Sequence, residues 1–284
     1  MSGAAETGAA SGSGPVVIEA DRDRPGAFTV FLDGTPQSYI DTGDPTNLVF
    51  EYVRRIGHVI DLARPPGVPV TAVHLGGGGF TLPRYIAHTR PGSRQQVLEV
   101  DRALIDAVRA AAPLPKREQI KIRCADAALA ATVLPPGMLG TVEVLVVDVF
   151  AGARTPSGLT TSEFLASLKP LLAPGAVVAL NVADGPPLAF ARSVIATVAE
   201  VFGASTGGTV AVAAEPAVLK GRRFGNLVVV AGAVPDGLAR RLAGDPFPGT
   251  LLSGGEVTRF VGGAKPFTSA NAQESPMPPR GVFG

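Results

Sequence analysis

From residue 70 onward, short apolar runs alternate with segments whose apolar residues recur at helical spacing, and this alternation limits the folds open to the chain. Continuous apolar strands separated by helices are typical of a parallel sheet covered on both faces. The pattern predicts seven strands, at residues 70–75, 95–100, 120–123, 142–147, 176–180, 209–214 and 226–231. No helical segment separates the last two strands, which indicates an antiparallel edge. We therefore expect an α/β fold with a seven-stranded, mostly parallel sheet and helices on both faces.

The flanking segments differ in composition from this α/β domain, which we expect over residues 46–245. Residues 15–45 hold two strand-like runs joined by polar turns and predict an N-terminal β-hairpin subdomain. Residues 1–14 are rich in Ser, Gly and Ala and lack the apolar run of a signal peptide, so we expect a disordered N-terminus. Residues 264–284 have repeated prolines and no apolar periodicity, which predicts a flexible C-terminal tail.

Charge and cysteine content bear on the classes of partner. The 25 basic and 24 acidic residues give a net charge of +1, which indicates neither a nucleic-acid partner nor an anionic membrane. Charged residues, Pro or Gly interrupt every apolar stretch, so no membrane span is expected. The single cysteine, Cys124, agrees with a cytoplasmic location. The histidines have no companion ligand cluster, and we expect no metal site.

Four consecutive glycines, Gly76, Gly77, Gly78 and Gly79, follow the first predicted strand of the sheet and open onto a helix. In open α/β sheets, ligands bind beyond the carboxyl ends of the strands. Glycines at that place let the backbone approach a ligand and present free amides at a helix N-terminus. Glu99 ends the second strand, about 20 residues later, where a carboxylate can accept hydrogen bonds from a ribose diol. The combination predicts a nucleoside site.

Two further acids follow the next strands. Asp126 comes after the third strand, where it can accept a hydrogen bond from the exocyclic amine of an adenine, or cap the helix beside it. Asp148 ends the fourth strand, the otherwise apolar run VEVLVVD. A charge at the end of such a strand is rarely there for packing, so Asp148 is a candidate general base or cation-binding group.

The order of the motifs resembles the polyamine aminopropyltransferases, the spermidine synthase family, over residues 16–233. The motifs are LDGTPQSY, VHLGGGGFTLPRY, LEVD, CAD, VLVVDVFAG and PSGLTTSEFL. The last two are similar to those of a divergent bacterial spermidine-synthase-like group. The resemblance implies the Rossmann-like sandwich of class I S-adenosylmethionine-dependent methyltransferases, with a nucleoside-binding transferase domain over residues 46–245.

The resemblance also implies roles for particular residues. Gln37 would contact the nucleoside together with the glycine loop, Glu99 the ribose and Asp126 the adenine. Asp148 would be the catalytic base that deprotonates an amine, and Glu51 would bind that substrate. The implied co-substrate is decarboxylated S-adenosylmethionine or S-adenosylmethionine itself, without a metal. The implied partners are a small-molecule acceptor and a second copy of the chain in a homodimer.

Two departures from the family pattern leave the reaction open. Gly79 stands where the family usually has an aspartate that pairs with the aminopropyl ammonium, and Ala151 stands where it has a second acid. An aminopropyltransferase remains the leading hypothesis. The alternatives are a methyltransferase that uses intact S-adenosylmethionine and a methyl acceptor, and a catalytically inert nucleoside-binding protein.

Overall fold

The computed structural model describes residues 15–115, 119–204 and 207–279 of the chain. The predicted disordered N-terminus, residues 1–14, lies outside the described residues, as do residues 280–284 of the predicted tail. Within the described ranges the chain forms eleven strands: β1 Val16–Ala20, β2 Ala27–Leu32, β3 Thr35–Asp41, β4 Thr71–Leu75, β5 Arg94–Glu99, β6 Gln119–Cys124, β7 Val142–Val147, β8 Leu172–Asp184, β9 Thr209–Ala214, β10 Gly225–Gly232 and β11 Thr250–Ser253.

The same ranges contain nine α-helices: α1 Glu51–Ala63, α2 Thr81–Thr89, α3 Arg102–Ala111, α4 Ala130–Val133, α5 Ser162–Leu168, α6 Ala189–Phe202, α7 Pro216–Leu219, α8 Leu238–Ala243 and α9 Gly255–Val261. In the described part of the chain, no helix has the length and apolar character needed to cross a bilayer. α3 begins at a capped end, because the Asp101 carboxylate accepts a hydrogen bond from the Leu104 amide.

The large sheet has the strand order β11-β9-β10-β8-β7-β4-β5-β6, and its five strands from β8 to β6 run parallel. β10, β9 and β11 add an antiparallel edge. The predicted fold class is confirmed, with eight strands instead of seven. The prediction missed β11 because this strand has four residues and follows a Pro-Phe-Pro-Gly run. Pairing with β9, from Thr250 opposite Ala214 to Ser253 opposite Ala211, makes it a strand.

β7 shows why both faces of this sheet are covered. Its residues alternate sides, as in any strand, and both alternating sets are buried. Leu145 and Val147 pack in one hydrophobic cluster with residues of α5 and α6, whereas Val144 and Val146 pack in a second with residues of α1 and α2. A continuous run of valine and leucine is therefore required at the centre of the sheet.

The N-terminal subdomain is a three-stranded antiparallel sheet in the order β1-β2-β3, one strand more than the predicted hairpin. The segment Thr35–Asp41 looks polar in sequence, but it pairs with β2 along most of its length. Val30 and Ile40 of this sheet are fully buried and pack with Phe80 and α3. This packing places β3 against the glycine loop of the large domain.

The predicted flexible tail makes ordered contacts with the domain as far as Ser275. Phe267 is buried, and its ring lies 5.6 Å from that of Phe190. Ser275 exchanges two hydrogen bonds with Thr155: its Oγ accepts from the Thr155 amide at 2.8 Å, and its amide donates to the Thr155 carbonyl at 3.2 Å. These contacts hold the segment that follows β7.

Arg90 fixes the C-terminal end of α1. Its guanidinium is buried and donates to five backbone carbonyls, those of Ile60, Asp61, Arg64, Pro65 and Val68, at 2.7–3.0 Å. The last carbonyls of a helix have no partner within the helix, so one side chain satisfies groups that would otherwise be buried and unpaired.

We expect Arg90→Leu to lower the free energy of unfolding by about 3 kcal/mol, because the substitution leaves several buried carbonyls without a donor. Urea denaturation followed by circular dichroism measures the change. Arg109→Leu, at an exposed position in the last turn of α3, is the matched control and should change stability by less than about 0.5 kcal/mol. Equal effects of the two substitutions would contradict this role of Arg90.

Candidate active site

The carboxyl ends of β4 and β7 meet where the strand order reverses, since β5 continues the sheet on one side of β4 and β7 lies on the other. Gly76, just after β4, has a φ of +90°. A Cβ atom there would lie 2.0 Å from the Asp148 carbonyl oxygen, so a side chain is excluded. The Asp148 amide donates to the Leu75 carbonyl at 2.8 Å. The first glycine is therefore required for Asp148 to approach the loop.

The Glu99 carboxylate organises the glycine loop. One oxygen, Oε2, accepts from the amides of Gly77 at 2.8 Å and Gly78 at 3.3 Å, and Oε1 accepts from the amide of Asp101 at 3.0 Å. A Cβ atom at position 77 would lie 3.1 Å from the Glu99 Cβ atom. Glu99 is thus held by backbone groups of its own turn and of the neighbouring loop.

Gly79 packs against the N-terminal sheet. Its amide donates to the Ser38 hydroxyl at 3.0 Å. A Cβ atom at this position would lie 2.8 Å from Cγ1 of Ile40 and 2.9 Å from Cβ of Ser38. β3 therefore occupies the space that an aspartate at position 79 would need, and the same strand carries Gln37 to the edge of the site.

Asp126 lies at the start of the segment that follows β6. Its carboxylate accepts a hydrogen bond from the Ala128 amide at 2.8 Å, so it caps a short helical turn, one of the two roles proposed for it from the sequence. The side chain is exposed on the protein surface beside the glycine loop region.

Asp148 belongs to a hydrogen-bonded group with Asn181 and Tyr52. Nδ2 of Asn181 donates to Oδ1 of Asp148 at 2.8 Å, and the Tyr52 hydroxyl donates to the same carboxylate. Burial raises the pKa of Asp148 to about 6, and the nearby Glu99 carboxylate adds to the rise, while the two hydrogen bonds oppose it. Burial also raises the pKa of Tyr52, with a contribution from Asp148. The hydroxyl therefore stays protonated.

A cavity of about 700 Å³ brings most of the sequence-predicted residues together. Its walls include Gln37, Gly76, Gly77, Gly78, Glu99, Asp126 and Asp148. Ala151 also lies in its wall, whereas Gly79 does not. A volume of this size falls within the range of small-molecule sites. No group of His, Cys, Asp or Glu within residues 15–115, 119–204 and 207–279 could hold a metal ion.

Glu51 lies outside this cavity, in an adjoining pocket of about 300 Å³. Its carboxylate accepts a hydrogen bond from the Arg55 guanidinium at 3.0 Å and lies 4.0 Å from the Arg223 guanidinium. Gln37 and Tyr52 line both spaces, so the two are adjacent.

The sequence reasoning missed Tyr52 and Asn181. Along the sequence, nothing in the spacing of α1 distinguishes Tyr52 from its apolar neighbours Val53 and Ile56. Asn181 is a single amide in the apolar run VVALNVA of β8, and its side chain is 4% exposed. A lone polar residue in a central apolar strand is a usable signal, because a buried amide needs partners.

Solved structures similar to this chain agree with the fold. The chain is 33% identical to a probable spermidine synthase from Corynebacterium glutamicum, with a TM-score of 0.80 over 89% of this chain and 92% of that one. A spermidine synthase from Thermotoga maritima has 17% identity and a TM-score of 0.55, over 91% of this chain and 81% of that one. A spermidine synthase in complex with the transition state analogue AdoDATO also has 17% identity, with a TM-score of 0.53, over 91% of this chain and 80% of that one.

The fold and the glycine loop define an α/β protein of the class I methyltransferase-like type. Within that class, the chain belongs to the spermidine synthase family of transferases. No protein-family model matches the sequence, and no curated protein matches it significantly.

The raised pKa of Asp148 has a consequence for stability. Since the folded-state value of about 6 exceeds the ordinary 3.8, the folded protein holds this proton more tightly, and stability falls as the pH rises through that interval. We expect Asp148→Asn to stabilise the protein by on the order of 2 kcal/mol at about pH 8 and to give no gain at about pH 4. Urea denaturation at the two pH values measures this.

Asp126→Asn is the matched control, because it removes an exposed carboxylate of the same cavity wall and retains a residue that can cap. We expect only a small change in stability for this variant. A gain from Asp148→Asn that does not depend on pH would contradict the assigned protonation of Asp148.

Proposed function

We propose that the chain is a transferase that binds S-adenosylmethionine or its decarboxylated form in the 700 Å³ cavity and transfers an aminopropyl group to a small-molecule amine. The observation that carries the proposal is the convergence of Glu99, Asp126 and Asp148 on one cavity beside the glycine loop. Family membership supports it, as does the fold relative solved with a transition state analogue. The homodimer and the cytoplasmic location stay predictions.

The nucleoside would be bound by groups already held in place. Glu99 has lone pairs left beyond its three backbone hydrogen bonds, and these would accept from the ribose hydroxyls. Asp126 would accept from the adenine amine while it caps its turn. Gln37 would contact the nucleoside from the N-terminal sheet. Because the backbone orients Glu99 before the ligand arrives, binding costs little conformational entropy.

The transfer step is a displacement at a carbon next to a sulfonium sulfur. The amine nitrogen forms the new C–N bond, the C–S bond breaks, and its electron pair goes to sulfur, so that neutral methylthioadenosine leaves. Asp148 takes the proton that the amine loses. Asn181 and Tyr52 hold the carboxylate in position, and a pKa of about 6 leaves it charged at neutral pH and still basic enough to act.

Methyl transfer from intact S-adenosylmethionine is the second candidate, and the packing of Gly79 favours it. The contacts with Ser38 and Ile40 exclude an acid at this position, which would otherwise pair with the aminopropyl ammonium. Its absence also removes repulsion against the methionine carboxylate of intact S-adenosylmethionine. The two donors differ by this carboxylate alone.

We expect Asp148→Asn to reduce turnover of decarboxylated S-adenosylmethionine with primary amines by about a hundredfold or more, while methylthioadenosine still binds. Release of methylthioadenosine measures turnover, and calorimetry measures binding. The wild-type rate should rise with pH through about 6, because the base must be deprotonated. Asp106→Asn, an exposed carboxylate on α3, is the control and should keep full activity.

Full activity of Asp148→Asn would overturn the role of Asp148 as the base. Release of S-adenosylhomocysteine from intact S-adenosylmethionine, with no release of methylthioadenosine from the decarboxylated form, would instead establish methyl transfer. Binding of methylthioadenosine with no consumption of either donor would identify an inert nucleoside-binding protein.

A further inference from the structure

The 300 Å³ pocket adjoins the proposed nucleoside cavity on the side of Asp148, and its lining defines the kind of acceptor it can take. Gln37, Phe50 and Tyr52 line both spaces, and Asn181 links the pocket to Asp148 through its hydrogen bond. If the proposed transfer takes place at Asp148, the attacking amine enters from this pocket. The inference below rests on that proposed function.

The inner end of the pocket is suited to an amine nitrogen. Because a carboxylate can only accept, Nδ2 of Asn181 must face Asp148, and this fixes the orientation of the amide. The opposite atom, Oδ1, is buried and has no hydrogen-bond partner among the described residues. A buried amide oxygen needs a donor. An amine with one N–H directed at Asp148 and another at Asn181 would satisfy both acceptors.

The outer end of the pocket is already neutralised. Among the described residues that line the pocket, Glu51 alone carries a carboxylate. This carboxylate accepts a hydrogen bond from the buried guanidinium of Arg55. Arg223 lies 4.0 Å from Glu51 and also forms an ion pair with Glu215. Two guanidiniums thus face these two carboxylates, and a third carboxylate near Arg55, that of Asp245, lies 2.8 Å from Nε2 of His58. Each carboxylate that a second ammonium could reach here already has a partner. The ammonium would therefore be desolvated without a partner of its own, which is unfavourable.

The walls between the two ends are apolar. They are formed by aromatic and aliphatic side chains, namely Val49, Phe50, Phe150, Val218, Phe224 and Phe247. Burial of a ligand's hydrocarbon body against such walls contributes favourable free energy of binding, whereas burial of a polar body does not.

We propose that this pocket is the acceptor site for a primary amine with an apolar body and no second cationic group. The amine nitrogen is bound by Asp148 and Asn181, and the hydrocarbon body lies between the aromatic walls. The Arg55–Glu51–Arg223–Glu215 group lies at the far end and selects against a diamine.

Three probes with one alkyl chain and different far ends test the charge preference directly: hexylamine, hexamethylenediamine and aminohexanoate. Calorimetry measures their binding to the full chain, with and without saturating methylthioadenosine. We expect hexylamine to bind about tenfold or more tightly than the diamine, and more tightly than aminohexanoate. Tighter binding of the diamine or of aminohexanoate, or no binding of any probe, would overturn the proposed acceptor class.

A charge substitution at the far end supplies an independent test. Arg223→Gln removes one of the two guanidiniums, and we expect it to improve diamine binding about threefold relative to hexylamine. Arg222→Gln, the exposed neighbour outside the pocket lining, loses the same charge and should leave the ratio unchanged. An unchanged ratio in Arg223→Gln would count against selection by this group.

These outcomes are separable from those of the proposed function. The order of the probes is read from binding alone, so it holds whether or not a donor is consumed. Loss of the transfer reaction with hexylamine as the tightest probe would overturn the proposed function and leave the pocket's preference standing. Transfer to the diamine in preference to hexylamine would overturn the pocket's preference and leave the proposed function standing.

Discussion

The backbones of β4 and β7 touch at their carboxyl ends, and the geometry of the site depends on this contact. Gly76 adopts a positive φ and leaves no room for a Cβ atom against the Asp148 carbonyl. The close approach brings the acid that ends β7 beside the glycine loop that follows β4. Since the strand order reverses between these two strands, the connections lead away to either side and a crevice opens above them.

Electrostatics then distinguishes the acids that share this crevice. Glu99 is held by three backbone amides, an arrangement suited to a fixed hydrogen-bond acceptor. Asp148 is held by the side chains of Tyr52 and Asn181, and burial raises its pKa to about 6. Two carboxylates with different environments suit different tasks, one for binding and the other for proton transfer. The ion-paired group around Arg55 gives the adjoining pocket a third character, with apolar walls and paired charges at one end.

Strong local signals explain how much the sequence could predict. β7 and β9 coincide with the apolar runs predicted as strands at residues 142–147 and 209–214. The sequence does not predict β3, which is polar, or β11, which is short. Both adopt strand structure because they pair with neighbouring strands. The acids at strand ends follow from parallel topology. The hydrogen bonds of Tyr52 and Asn181 to Asp148 join α1, β8 and β7, and spacing along the chain carries no record of such contacts.

A crystal structure of the full chain with methylthioadenosine would test most directly whether the crevice binds an adenosyl group. We expect the ribose hydroxyls within hydrogen-bonding distance of Glu99, the adenine amine beside Asp126, and the sulfur between the glycine loop and Asp148. A nucleoside bound elsewhere on the protein, or one in the crevice with its ribose turned away from Glu99, would contradict the assignment.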